Sequence, residues 1–300
     1  GAVCVRRIYE KSAKTGRARL NVKFWSRFFG TKNFIGMVTE FKDRNYWAII
    51  LGGSTGLGFA TARKLAHHGM NIIIIHRDRR TDIAEIEEAF EDIREQDVKF
   101  ESFNVDATNA EKRANLIEEI AKILGKEGKI RSLVHSIAKG NLKPMTGDEP
   151  TLDNVDFQIT IDAMAISLYD WTKAIFKANL FAKDARIISF TSEGNKKAWA
   201  NYAAVSAAKV ALESITRNIA LEFAPYGIRA NCIQAGVTVT RSFQMIPGNE
   251  TLRNHALKHN PFKRLTVPND VANVVYLLSK DEAGWITGTI IPVNGGEHLK

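Results

Sequence analysis

From Trp47 onward the apolar positions follow two alternating periods. Short, nearly continuous apolar runs bounded by turn formers predict strands at Tyr46–Leu51, Asn71–His76, Val98–Val105, Ile130–Ser136, Ala185–Phe190 and Ile228–Ile233, with a short one near Thr289–Val293. Between them, apolar residues spaced for one face of a helix predict helices at Gly58–His68, Asp82–Gln96, Asn109–Leu124, Asp156–Leu180, Asn201–Glu222 and Asp270–Ser279. The stretch from residue 234 to Leu265 reads as irregular. Strands that alternate with helices imply an α/β fold: one doubly wound parallel sheet of about seven strands, helices on both faces, and ligands at the carboxyl ends of the strands.

Composition adds one asymmetry. The net charge is +9, yet residues 1–36 hold nine basic groups and a single acid, so the remainder is nearly neutral. This divides the chain into a basic extension, residues 1–36, and a catalytic domain, residues 37–300. The extension carries Phe24, Trp25, Phe28 and Phe29. It reads as a transit segment, a docking arm for an acidic partner, or a packing extension. It has no recognisable nucleic-acid motif, and nucleic acid is not expected as a partner. The remote alternative is a nucleotide-sensing regulator whose arm binds nucleic acid. Apolar runs are strand-sized, short of the roughly 18–20 residues that span a bilayer, so no membrane partner is expected. Cys4 and Cys232 match no zinc or redox spacing, which argues against a metal site and for a reducing compartment. That compartment is cytoplasmic, or organellar if the extension is a transit remnant.

The first strand runs into Gly52-Gly53-Ser54-Thr55-Gly56-Leu57-Gly58 and then a helix. Glycines there permit a tight turn and close approach of a pyrophosphate, and the helix N-terminus supplies amide donors and a favourable dipole. The placement predicts a dinucleotide site and a Rossmann-type domain. Gly52, Ser54, Thr55, Gly56, Leu57 and Gly58 are its phosphate-side residues. The second strand ends in His76 and Arg77, with Arg79 and Arg80 nearby, where a carboxylate would select NADH. A 2′-phosphate suits this end better, so NADPH is expected over NADH, with Asp78 as the competing carboxylate. Asp106 and Ala107 follow the third strand. Asp106 either meets the adenine edge or caps the helix that begins near Asn109.

Tyr202 and Lys209 stand seven positions apart on one predicted helix. Seven residues are about 1.9 turns, so both side chains share a face roughly 10 Å apart along the axis. A tyrosine is a poor proton donor to a carbonyl until a neighbouring ammonium and a bound cofactor favour its ionised form, a task that suits Lys209. The bland reading is an interfacial tyrosine and a surface lysine.

Together these residues resemble the short-chain dehydrogenase/reductase family over about residues 40–297. Most members place tyrosine four positions before the lysine, where this chain has Val205. Tyr202 instead resembles the divergent subgroup typified by NADPH-dependent enoyl-[acyl-carrier-protein] reductases. Val134-His135-Ser136-Ile137-Ala138 and Ala235-Gly236-Val237-Thr238-Val239-Thr240 resemble that subgroup too. The resemblance adds Ser136, Ile137, Ala138, Gly236, Thr238 and Thr240 to the cofactor site and makes Tyr202, Lys209 and Ser192 catalytic. Many bacterial enoyl reductases carry a second tyrosine seventeen residues before the lysine; here that residue is Ser192, the carbonyl-polarising serine of ordinary members. Asp162 occupies the place of the ordinary catalytic asparagine, as a relay group or a helix residue facing water.

The activity implied is reduction of a trans-2-enoyl thioester of fatty-acid synthesis, on acyl carrier protein, by a homodimer or homotetramer. The alternative is ketone or alcohol oxidoreduction with Ser192 and Tyr202, resembling a 3-oxoacyl reductase. Residues 241–265 are expected to form a lid over an acyl chain, or an ordinary surface loop.

Overall fold

The computed structural model describes residues 39–299 except Glu149. All three readings of the basic extension lie outside the described residues. Seven parallel strands form the sheet: β1 (Tyr46–Leu51), β2 (Asn71–His76), β3 (Phe100–Asn104), β4 (Lys129–His135), β5 (Phe181–Ser192), β6 (Ile228–Ala235) and β7 (Ile290–Val293), in the order β3-β2-β1-β4-β5-β6-β7. Ile49 of β1 lies opposite Ile73 of β2 and Leu133 of β4. Central strands are apolar on both faces because both faces are covered, and a one-residue slip would exchange the two sets.

Helices α1 (Gly56–His67), α2 (Ile83–Arg94) and α9 (Pro268–Ser279) cover one face through Leu65, Phe90 and Val275. The other is covered by α3 (Ala110–Leu124), α5 (Ser167–Lys177) and α6 (Ala203–Glu222) through Ile120, Trp171 and Leu212. Strand order reverses between β1 and β4, which opens a crevice at the carboxyl ends of the strands.

Two segments differ from the sequence expectation. The helix expected over Asp156–Leu180 begins earlier and is interrupted: α4 (Asn154–Ile161) passes into a π-turn at Asp162–Ile166 before α5. Asp153 starts it, with its side chain accepting from the Asp156 amide and Asp156 accepting from the Asp153 amide. The expected irregular stretch holds two helices, α7 (Arg241–Gln244) and α8 (Asn249–His259). Thr240 caps α7 by accepting from the Phe243 amide at 3.2 Å, and Gly248, at φ +75°, turns the chain into α8.

At the opposite end of the sheet three arginines on neighbouring strands share one carboxylate. Arg131 of β4 donates to Asp184 at 2.7 Å, Arg186 of β5 at 2.5 Å, and Arg229 of β6 completes the set. Arg131 and Arg186 are buried, and their Nε groups bond the Ser279 and Leu278 carbonyls that end α9. Pairing and hydrogen bonding offset the desolvation of these charges and tie α9 to the sheet.

Candidate active site

The turn after β1 is built for close approach. Gly52 has φ +80°, and a Cβ there would lie 2.6 Å from the Ser136 carbonyl oxygen. A Cβ on Gly58 would meet the Gly52 carbonyl oxygen at 2.2 Å, so Gly58 sets how tightly α1 docks on the turn. The first turn of α1 has no acidic residue and no side-chain cap from Thr55, which leaves its amides for an anion. Every site residue expected from the sequence except Gly58 lines one cavity of about 910 Å³. The glycine turn, the helix terminus and this cavity fit a dinucleotide.

At the end of β2, His76 Nδ1 lies 2.8 Å from an Asp78 carboxylate oxygen, and Asn104 holds the Asp78 backbone in both directions. Asp78 is therefore engaged, while Arg77 and Arg79 are exposed at the cavity wall. Arg77 donates to Asp106 at 2.8 Å. Asp106 does not cap α3, since Asn109 does so by accepting from the Lys112 amide. Burial works against charge on Asp106, but hydrogen bonds from Thr108 and the cations Lys139 and Arg77 hold its carboxyl below the usual range.

The reacting end of the cavity lies where β5 meets α6. Tyr202 stands at the N-cap of α6, with its hydroxyl 3.5 Å from Ser192 Oγ. Burial raises its pKa, opposed by the Ser192 hydrogen bond. Lys209, two turns along, is buried and donates from Nζ to the Phe190 carbonyl at 2.7 Å. Burial lowers its pKa to about 8, against the pull of Cys232 and Glu213. At Tyr202 burial outweighs the Ser192 hydrogen bond and favours the neutral phenol.

A family model described as Enoyl-(Acyl carrier protein) reductase matches residues 52–298. The chain belongs to this branch of the short-chain dehydrogenases/reductases. As an oxidoreductase of that family, it uses a nicotinamide cofactor. It is 30% identical to 3-oxoacyl-[acyl-carrier-protein] reductase FabG of Staphylococcus epidermidis, over 85% of this chain and 100% of the relative. It is also 30% identical to the uncharacterized oxidoreductase YjdA of Bacillus subtilis, over 83% of this chain and 95% of the relative. Among solved structures, enoyl-[acyl-carrier-protein] reductase (NADH) of Aquifex aeolicus superposes with a TM-score of 0.76 at 25% identity, covering 88% of this chain and 99% of that one.

Several groups around the site of this oxidoreductase, Gly194, Ser206 and Glu213, are not apparent in the sequence. A Cβ on Gly194 would lie 2.5 Å from Tyr202 Cε1, so the tyrosine ring occupies the space a side chain at Gly194 would take. Ser206, on the first turn of α6, donates to the Gly194 carbonyl at 2.6 Å and fixes that contact. Buried Glu213 accepts from Thr191 at 2.6 Å and from Asn195, joining the end of β5 to α6. His135 is buried beneath the site, and burial, with Lys209 nearby, lowers its pKa to about 3. Ser167 donates to the Ala163 carbonyl in the π-turn, so it accepts from His135 Nε2 at 2.8 Å, which makes His135 the neutral Nε2–H tautomer. Asp162 is exposed and is not part of the cavity wall. From α7, α8 and the turn between them come Phe243, Ile246, Leu252, His255 and His259, all on the wall.

Among the described residues no group of His, Cys, Asp and Glu is placed to hold a metal ion, and no helix is long and apolar enough to cross a membrane.

Proposed function

We propose that the protein is an NADPH-dependent enoyl-thioester reductase of fatty-acid synthesis. The observation that carries this reading is the position of Tyr202: its hydroxyl enters the cavity from the N-cap of α6, while Val205, at the ordinary tyrosine position, is an apolar wall residue beside Met164.

The glycine turn and the N-terminus of α1 would hold a reduced nicotinamide dinucleotide, which would supply hydride for the β-carbon of the enoyl group. Arg77 and Arg79, with Asp78 held by His76, support a 2′-phosphate and hence NADPH. Lys209 uses one ammonium proton on Phe190 and keeps two for ribose hydroxyls. Tyr202, protonated at neutral pH, donates a hydrogen bond to the thioester oxygen as that oxygen gains negative charge. Protonation of the α-carbon completes the reduction. Phe243, Ile246 and Leu252 form the apolar cover for an acyl chain, with α7 and α8 as the lid.

Acyl carrier protein delivers the substrate in this reading, and the enzyme works as a homodimer or homotetramer in a reducing compartment, the cytoplasm. Exposed Val155, Ile159 and Ile166 around α4 and Val210 on α6 support self-association.

Ser192 favours a second reading. A serine hydroxyl 3.5 Å from the tyrosine hydroxyl supports reduction of a ketone, the reaction named for the FabG relative. Crotonyl and acetoacetyl thioesters assayed side by side with NADPH separate the two. Turnover of the enoyl substrate is expected; turnover of the keto substrate alone would favour the second reading.

A further inference from the structure

Tyr202 stands at the head of α6, yet its ring is located as much by the chain that precedes it. β5 ends at Ser192, and a single 3-10 turn follows over Glu193–Asn195. Two contacts tie the ring to this span: Ser192 Oγ lies 3.5 Å from the hydroxyl, and the ring fills the space of a side chain at Gly194. A small shift of Ser192 and Gly194 therefore moves the ring or leaves it loose.

One carboxylate oxygen fastens the span. Thr191, just before Ser192, donates from its hydroxyl to Glu213 Oε1 at 2.6 Å, and Asn195, just after Gly194, donates from its side-chain amide to the same Oε1. The two donors flank the residues that touch the tyrosine, so both ends of the span are held at a single point. Among the described residues the Asn195 side chain has no other hydrogen-bond partner.

Glu213 lies on α6 itself, one turn beyond Lys209 and about three beyond Tyr202, and it is buried. The helix that carries the tyrosine thus also fixes the turn on which the tyrosine rests. A buried carboxyl whose hydrogen-bond partners are a hydroxyl and an amide is a weak source of stability; what it fixes is geometry. Glu213 acts on Lys209 as well: burial lowers the lysine pKa to about 8, while Cys232 and then Glu213 pull it upward.

We propose that Glu213 is a positioning residue: by accepting from Thr191 and Asn195 it holds Ser192 and Gly194 against Tyr202 and so sets the tyrosine hydroxyl for the reaction. This rests on Tyr202 donating to the substrate oxygen, as in the function proposed above, and not on whether that oxygen belongs to an enoyl or a keto thioester.

The test is a double-variant cycle read in kcat. Wild type, Glu213→Met, Tyr202→Phe and the combined variant are assayed with NADPH on crotonyl and acetoacetyl coenzyme A. The pH is about 6.5, below the range in which Lys209 loses its charge, and NADPH affinity is followed by fluorescence. Glu213→Gln, which keeps an accepting oxygen without the charge, is the rescue. Glu213→Met should lower kcat by about 10- to 100-fold at unchanged NADPH affinity, and the combined variant should stay within about threefold of Tyr202→Phe alone. Glu213→Gln should stay within about fivefold of wild type. A merely structural role would instead make the two losses multiply.

Multiplying losses would overturn the proposal, as would Glu213→Met at wild-type kcat or Glu213→Gln as impaired as Glu213→Met. Weaker NADPH binding with kcat preserved would assign Glu213 to Lys209 and overturn it too. A fully active Tyr202→Phe enzyme would overturn the reading of Tyr202 and the proposal with it, whereas a harmless Glu213→Met beside an impaired Tyr202→Phe overturns the proposal alone. Turnover of acetoacetyl coenzyme A alone would overturn the enoyl reading, and the cycle is then read on that substrate. No turnover of either substrate by wild type would overturn both. If Glu213→Met does not fold, Asn195→Ala, in the half-buried turn, takes its place. A kcat lower by about 5- to 10-fold is then expected, with no further loss in the Tyr202→Phe background, and wild-type kcat would overturn the proposal.

Discussion

Lys209 Nζ lies 2.7 Å from the Phe190 carbonyl oxygen, so the lysine is anchored to the end of β5 before any ligand arrives. That bond positions the ammonium without neutralising it, and burial lowers its pKa to about 8. The charged form therefore prevails below that value and is lost as pH rises through it. If the ammonium holds the ribose hydroxyls, the Kd for NADPH should rise above pH 8, by up to about tenfold per pH unit. Fluorescence titration between pH 7 and 9.5 checks this, and Lys209→Met should bind weakly with a flat profile. A pH-independent Kd in wild type would show that the lysine charge does not serve the cofactor.

Gly194 supplies the second prediction. A methyl group at this position would meet Tyr202 Cε1 at 2.5 Å, and the Ser206 bond to the Gly194 carbonyl blocks retreat of the backbone. Gly194→Ala should therefore displace the ring and reduce kcat by about 10- to 100-fold with NADPH affinity unchanged. Stopped-flow reduction at saturating NADPH gives the number.

The sheet and the glycine turn were legible because each rests on a local pattern. Runs such as Ile72–Ile75 fix a buried strand whatever surrounds them, and Gly52 and Gly58 sit where the backbone approaches itself. Helix α8 was not legible: in Asn249–His259 only Ala256 is buried, so no apolar stripe announces it. The π-turn at Asp162–Ile166 is likewise silent, since its residues fit an ordinary helix and its register is marked by a tertiary bond from His135 to Ser167. The cluster around Asp184 escaped for another reason: Arg131 and Arg229 are brought to it by the fold from strands far apart in sequence.

Coenzyme choice turns on the end of β2. Arg77 is exposed and its Asp106 partner leaves most of the guanidinium donors free, while Asp78 is engaged by His76. Arg77→Ala should weaken NADPH by about tenfold or more and leave NADH within about twofold, as expected for loss of a charge-assisted contact to a phosphate. Equal weakening of both coenzymes would place the arginine in structure rather than in selection.

Tyr202 carries the account. Its hydroxyl is half-buried and hydrogen-bonded to Ser192, burial favours its neutral form, and no other phenol lines the cavity among the described residues. The most direct measurement is kcat for crotonyl thioester reduction by Tyr202→Phe and Ser192→Ala beside wild type, with NADPH affinity followed in each. Tyr202→Phe should lose about 10²- to 10³-fold in kcat, as when a donor to a developing oxyanion is removed, with NADPH binding preserved and Ser192→Ala largely active. A fully active Tyr202→Phe enzyme would contradict the account.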